Sequence, residues 1–326
     1  MAKEMMYGEA IATAIIEEMQ RDPNVIFYGQ NMGMTERDPM LKMFGKDRIR
    51  ITPISETAEL GIAVGAAMTG LRPIVELWMS EFMLVAFDQV VNEAPRLRYM
   101  SGGHVKVPVV FKAGYGFAAG WAGQHSNCTY HLVMGTPGLK VALPSTPADA
   151  KGLMKAAIRD DNPVIFLQHF LLTLEKGEVP EGDEVIPFGV ADVKRHGTDL
   201  TIVATGWMVQ KSLAAAERLA KEGISVEVID PRTLAPLDVR TIVESVRKTG
   251  RLVLVDQAPR HASAAITIAG EIAEHAFHYL KAPVRLVTAA DTSVPFSEPL
   301  ENYVLPNEDK IVQAAKSVLA KRAVMA

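Results

Sequence analysis

A single cysteine, Cys128, among 326 residues leaves nothing to build a disulfide framework or a cysteine-rich zinc or iron–sulfur site. Its isolation also points to a reducing compartment. Basic residues are in deficit: 34 Lys and Arg against 38 Asp and Glu give a formal charge of -4. That balance removes the counterion release on which generic nucleic-acid binding depends. No apolar run reaches the roughly 18–20 residues needed to span a bilayer. The opening residues, Met1 to Met5, carry an acid and no apolar core, so no export signal is expected. Also missing are a phosphate-binding P-loop, a His-Glu-x-x-His zinc helix and a Gly-x-Ser-x-Gly elbow. The eight histidines are scattered, and His275 with His278 has no third ligand nearby. What is present is 48% hydrophobic and 22% charged residues, the balance of a soluble globular protein. The length is that of about two domains. A cytoplasmic, enzyme-sized chain is expected.

Short β-branched runs alternate with helix-period segments nearly throughout. Strands are predicted at 25–28, 49–51, 73–77, 107–111, 140–143 and 163–167, each too short and too β-branched for a helix. A helix is predicted over 56–69, stopped by Gly70. Another, opened by Ser145-Thr146-Pro147 with a cap and a first-turn proline, runs to about Arg159. The segment 175–184 is acidic, holds Gly and Pro, and lacks apolar periodicity, so it reads as a connector. Beyond it the pattern restarts with strands at 200–204, 225–229, 252–255 and 284–287 and a last helix near 308–320. Alternating βα units imply mainly parallel sheets flanked by helices. The expected organisation is α/β in two domains: 1–175, an acidic connector at 176–185, and 186–326.

Gly114-Tyr115-Gly116-Phe117-Ala118-Ala119-Gly120 follows a strand and suggests a dinucleotide turn. No helix follows cleanly and no acid lies between Gly120 and Asp149, so close packing against another backbone is the better reading. Two polar groups stand at the C-terminal ends of predicted strands, where parallel sheets place ligands. Glu56 opens a helix and can either complement its dipole or act as an acid–base group. His125 lies in a glycine-rich loop flanked by Trp121 and can be structural or catalytic.

Six segments, in order and with matching spacing, carry a resemblance. They are Thr52-Pro53-Ile54-Ser55-Glu56, Gly70-Leu71-Arg72-Pro73-Ile74-Val75-Glu76, Gly123-Gln124-His125-Ser126, Pro137-Gly138-Leu139-Lys140-Val141, Ala157-Ile158-Arg159-Asp160-Asp161-Asn162-Pro163 and Asp230-Pro231-Arg232-Thr233-Leu234-Ala235-Pro236-Leu237-Asp238. From about Tyr7 to Leu319 the chain resembles the β subunits of thiamine-diphosphate-dependent 2-oxoacid dehydrogenases, with which acetoin dehydrogenase β subunits group. The resemblance implies a transketolase-like pyrimidine-binding domain followed by a transketolase C-terminal-like domain. The family's diphosphate half binds through Mg²⁺ with a Gly-Asp-Gly stretch and a later asparagine. No Gly-Asp-Gly occurs here, which implies a separate α subunit holding Mg²⁺, in an α₂β₂ assembly.

By resemblance, Glu56 shares the proton at N1′ of the aminopyrimidine, Phe82 packs beside that ring and Trp78 covers it. Asp88 matches an acid in a proton relay between cofactors. His125 matches the histidine that meets the reacting carbon and the incoming lipoyl group of an acyltransferase component. Ala157, Ile158, Asp160 and Asn162 match a structural potassium loop. There are departures as well. Gln30-Asn31 follow Gly29 where the family has an acid, Gln257 stands where many members have glutamate, and Trp78, Glu81 and Trp121 suggest an atypical pocket. The implied reaction cleaves the bond next to a ketone in acetoin, a related α-hydroxyketone or diketone, or a 2-oxoacid that loses CO₂. Two other readings stay open: half of a split transketolase-like enzyme, and a non-catalytic scaffold or regulatory subunit.

Overall fold

The computed structural model describes residues 2–30, 39–116, 120–261 and 263–320. These form two compact units. The first contains the described residues up to 116, together with 127–188 and 233–236. The second contains 120–126, 189–232 and 237–320.

In chain order the first unit comprises β1 (Ala2–Met6), α1 (Tyr7–Arg21), β2 (Val25–Gln30), α2 (Pro39–Phe44), β3 (Ile49–Thr52), α3 (Glu56–Met68) and β4 (Arg72–Met79). It continues through α4 (Ala94–Met100), β5 (Val110–Tyr115), α5 (Tyr130–Val133), β6 (Lys140–Ala142), α6 (Pro147–Arg159), β7 (Val164–His169) and β8 (Lys176–Pro180). The second unit holds β9 (Asp192–Arg195), β10 (Leu200–Ala204), α7 (Trp207–Ala220) and β11 (Val226–Asp230). After β12 (Thr233–Ala235), which returns to the first unit, come α8 (Val239–Thr249), β13 (Leu252–Pro259), α9 (Ala264–His275), β14 (Arg285–Ala289), α10 (Glu298–Val304) and α11 (Glu308–Leu319).

The main sheet of the first unit runs β12-β6-β7-β5-β4-β2-β3, parallel except for the β12–β6 edge. Apart from the Glu76–Lys112 pair, its central strands are apolar on both faces, as burial under helices on either side requires: Ile74, Val75, Phe111, Ile165 and Phe166 are buried. The second sheet runs β14-β13-β10-β11-β9, with only β9 antiparallel. Helix α6 begins as the sequence predicts: the Thr146 hydroxyl accepts from the Asp149 amide at 3.1 Å and Pro147 fills the first turn.

Two organisational expectations change. The acidic stretch at 176–185 is not a free connector. Lys176–Pro180 pairs antiparallel with Ala2–Met6, Val179 is buried, and the Asp183 carboxylate binds Lys155 at 2.8 Å and also meets Arg159. With Asp183 paired to α6, the stretch lies against the first unit, which extends to Phe188. Nor is the stretch after 186 all of one unit. Thr233–Ala235 joins the first sheet beside β6, and 120–126 groups with the second unit. A three-residue strand is too short to leave a periodic signal.

Candidate functional site

Glu56 is the first residue of α3, just past the C-terminal end of β3. It is half-buried, and the Nε2 of Gln30 donates to its Oε1 at 2.8 Å. Gln30 is the last residue of β2 and stands opposite Thr52, the last of β3, in the parallel register. Two strand ends thus converge on one carboxyl whose described partner is a neutral amide rather than a cation. Gly29 makes the convergence possible, since a Cβ there would lie 2.4 Å from the Glu76 carbonyl oxygen of β4. Asn31, named with Gln30 as a departure, lies outside the described residues.

The structure adds a second acid that the sequence reading passed over. Glu59, one turn on from Glu56, is only 2% exposed. Its Oε1 accepts from the Thr52 hydroxyl at 2.9 Å and from the Ser55 amide at 3.3 Å. Its backbone carbonyl accepts from the Tyr28 hydroxyl at 2.8 Å. Burial first, and then the charge of Glu59, push the Tyr28 phenol well above its ordinary range, so it stays a donor. The Oε2 of Glu59 is buried with no hydrogen-bond partner among the described residues. The available signal was an acid inside the buried stripe of α3, among Leu60, Ala63, Val64 and Ala67.

Trp78, near the end of β4, is partly exposed, and Phe82 is half-buried in the short 3₁₀ stretch Ser80–Ala86 that follows. The Thr57 hydroxyl donates to the Val85 carbonyl at 3.1 Å and ties α3 to that stretch. Asp88, exposed in the single chain, accepts from Asn92 Nδ2 at 3.0 Å just before the π-turn Gln89–Glu93. Glu56, Trp78, Phe82 and Asp88 all lie in the first unit.

His125 groups with the second unit, in a turn where its amide donates to the Ala122 carbonyl at 3.4 Å. The neighbouring Ser126 is fully buried and its hydroxyl has no partner among the described residues. In the first unit the flanks of this loop are pinned: Gly116 donates to the Asn127 carbonyl at 2.9 Å. Glu81, one of the atypical positions, takes the Asn127 amide at 2.8 Å and its Nδ2 at 3.1 Å. At Gly114, within β5, the glycine-rich 114–120 stretch serves close packing, since a Cβ there would strike the Phe170 ring and come 2.8 Å from the Trp78 carbonyl. Residues 117–119 of that stretch lie outside the described residues.

At the implied potassium loop, Arg72 Nη1 donates to the carbonyls of Ile158 and Asp160 at 3.0 Å each, and Nη2 to Asp161 at 2.7 Å. The Ala157 carbonyl accepts from the Asp160 amide at 3.4 Å, Lys140 pairs with the Asp160 carboxylate, and Arg98 donates to Asn162 Oδ1 at 2.6 Å. The carboxyl of Asp161 is drawn below the usual carboxylate range, by Lys106 first and then Arg72, against burial. Among the described residues no group of three or more His, Cys, Asp or Glu is placed to hold a metal. No described helix is long and apolar enough to cross a membrane.

Two family models match: the transketolase pyrimidine binding domain over residues 3–172 and the transketolase C-terminal domain over 189–311. The chain is 45% identical to the acetoin:2,6-dichlorophenolindophenol oxidoreductase subunit beta of Cupriavidus necator, over 98% of each chain. It is 41% identical to the protein of that name from Bacillus subtilis, over 99% of each. It is 43% identical to the pyruvate dehydrogenase E1 component subunit beta of Rhizobium meliloti, over 97% of this chain and 70% of that one. In fold it resembles a split gene transketolase solved as an inactive beta4 tetramer, with a TM-score of 0.81 at 24% identity, over 97% of this chain and 98% of that one.

Proposed function

Because the chain belongs to the family of β subunits of thiamine-diphosphate-dependent acetoin and 2-oxoacid dehydrogenases, we propose that it is the pyrimidine-side half of an α₂β₂ enzyme. That enzyme cleaves the bond next to a ketone in acetoin, a related α-hydroxyketone or diketone, or a 2-oxoacid, and passes the acyl group to a lipoyl carrier of an acyltransferase component. Bound thiamine diphosphate supplies the carbanion and the electron sink.

The residues of this chain do the rest. Glu56 holds the proton at N1′, one oxygen fixed by Gln30 and the other left for the ring. Trp78 and Phe82 wall the ring, His125 orients the acyl group, and Asp88 passes protons toward the second site. The supporting observation is Glu56 itself, a half-buried carboxyl at two converging strand ends whose described partner is an amide. Side chains on and beside α3 fit the need for a partner. Ile54 is 77% exposed, Ile62 62% and Val85 69%, an apolar surface that a second subunit would cover. The diphosphate and its Mg²⁺ are assigned to that α subunit, since no Gly-Asp-Gly occurs in this sequence. Turnover of acetoin, pyruvate and branched 2-oxoacids by the reconstituted pair, assayed side by side, tests the reading. Activity with none of them would contradict it.

Two expectations follow from this division of labour. The purified chain alone should bind thiamine diphosphate weakly, with a Kd above about 10 µM by calorimetry, because the charged tail has no metal site here. Low-micromolar or tighter binding without a partner would refute that. The proposal also includes potassium at the 157–162 loop, where Ala157, Ile158, Asp160 and Asn162 would hold it through oxygen atoms that can accept more than one donor. Replacing potassium by choline is then expected to lower the melting temperature by a few degrees. An unchanged melting temperature would assign the loop's charge balance to the side-chain cations Arg72, Arg98, Lys106 and Lys140.

A further inference from the structure

We propose that Glu59 is a positioning residue for Glu56, holding the start of α3 in place through Thr52 and Ser55. The inference rests on the reading that Glu56 contacts the coenzyme ring. A carboxyl at 2% exposure, with one oxygen lacking a partner among the described residues, is an expensive thing to place in the buried stripe of a helix. A leucine there would extend the apolar contacts of Leu60, Ala63 and Val64 at no such cost. The acid must therefore supply something an apolar side chain cannot, and its bonds say what that is.

Glu59 Oε1 gathers the hydroxyl of the last β3 residue and the amide of the residue capping α3. These two groups bracket Thr52-Pro53-Ile54-Ser55, the turn that delivers Glu56. The carbonyl of Glu59 is meanwhile fixed by Tyr28 in the neighbouring strand. The carboxyl and carbonyl of this one residue therefore tie together β2, the end of β3 and the helix start. Gln30, in register with Thr52, then closes on Glu56 from the same row of strand ends. Without the Glu59 acceptor, the turn loses its side-chain ties to α3, and among the described residues the Gln30 bond is the side-chain contact left on the Glu56 carboxyl. A displacement of about 1 Å at a reacting group can cost as much as 10²-fold in rate.

The test uses the assembled α₂β₂ enzyme with saturating cofactor. Glu59→Leu, which removes the acceptor and keeps the bulk, is expected to lower kcat at least about 10-fold with substrate KM within about 3-fold. Glu59→Gln keeps an acceptor oxygen and should stay within about 3-fold of wild-type kcat. In an Glu56→Gln background, Glu59→Leu should lower kcat by less than about 2-fold, because the group it positions is already gone. Should Glu59→Leu fail to fold, Thr52→Val, which deletes one donor, is expected to lower kcat at least about 3-fold, again only when Glu56 is intact. Wild-type kcat in the folded Glu59→Leu enzyme, or in Thr52→Val where it replaces that variant, overturns the proposal. So does an equal loss in both backgrounds. Wild-type turnover in Glu56→Gln overturns the parent reading and this proposal with it, so the two failures are told apart.

Discussion

Glu56→Gln is expected to lower kcat of the assembled enzyme by about 10²–10³-fold, the scale of a lost general acid–base group. The substitution is close to isosteric. The Gln30 amide can still donate to the remaining oxygen, so the bond at 2.8 Å survives and folding should be unaffected. What is lost is the ability to take up and release a proton, which an amide lacks. The loss should therefore appear in kcat and kcat/KM alike, since the proton is needed in the transition state rather than for binding substrate. Turnover with the native partner and substrate checks this. An unchanged kcat with a full complement of α subunit would favour the non-catalytic scaffold.

The second large effect is on stability. Lys155→Met is expected to destabilise the chain by about 3 kcal/mol, the lower end of what breaking a buried ion pair costs. Helix α6 carries Lys151, Lys155 and Arg159 along one stripe, and α1 meets it with Glu17 and Glu18. The Lys155 side chain is 2% exposed and reaches Glu17 at 2.6 Å, Asp183 at 2.8 Å and Glu18 at 3.9 Å. Removing it leaves Glu18 with Arg159, at 2.6 and 3.0 Å, while Glu17 and Asp183 can turn partly to water. Hence the lower end of the range. Arg21→Ala, which removes a half-exposed partner of the same Glu18, should cost about 1 kcal/mol or less.

The pH dependence follows from two opposed shifts. Burial alone would raise the Glu17 carboxyl, but Lys155 and Lys151 on balance hold it below its ordinary 4.5. Its contribution is therefore present above that value and lost as acid protonates it. Burial alone would lower the Lys155 ammonium, but Asp183 and Glu17 on balance hold it above its ordinary 10.5. Its contribution is full below that value and lost in stronger alkali. The gap in melting temperature between wild type and Lys155→Met should thus be flat from about pH 6 to 9 and shrink below about pH 4.5. A gap that widens in acid would contradict the assignment.

Much of this architecture is legible in the residues, because buried parallel strands must be apolar on both faces and cannot hide. The 25–28, 73–77 and 200–204 runs all fall within strands, and Thr146-Pro147 does open a helix. The misses have a shared cause: they are features decided by partners distant in sequence. The 176–180 run looks like a linker because its acids are read without Lys155 and Arg159, and its strand exists only because Ala2–Met6 is there to pair with. Thr233–Ala235 is too short to announce itself. Glu59 escaped because an acid in the first turn of a helix has an easy explanation in the helix dipole. Only burial, and the Thr52 and Ser55 donors, separate it from that explanation. The likeness of six segments to a known family is what pointed to Glu56 and His125 as the proposed acid–base groups, which residue chemistry alone left undecided.

The most direct test of the account is a structure of this chain assembled with its α subunit and thiamine diphosphate, measuring the separation between the Glu56 carboxyl and N1′ of the ring. A hydrogen-bond distance of about 2.5–3.2 Å is the result expected here. A Glu56 carboxyl more than about 5 Å from the ring, or turned onto a lysine or arginine of either subunit, would contradict it.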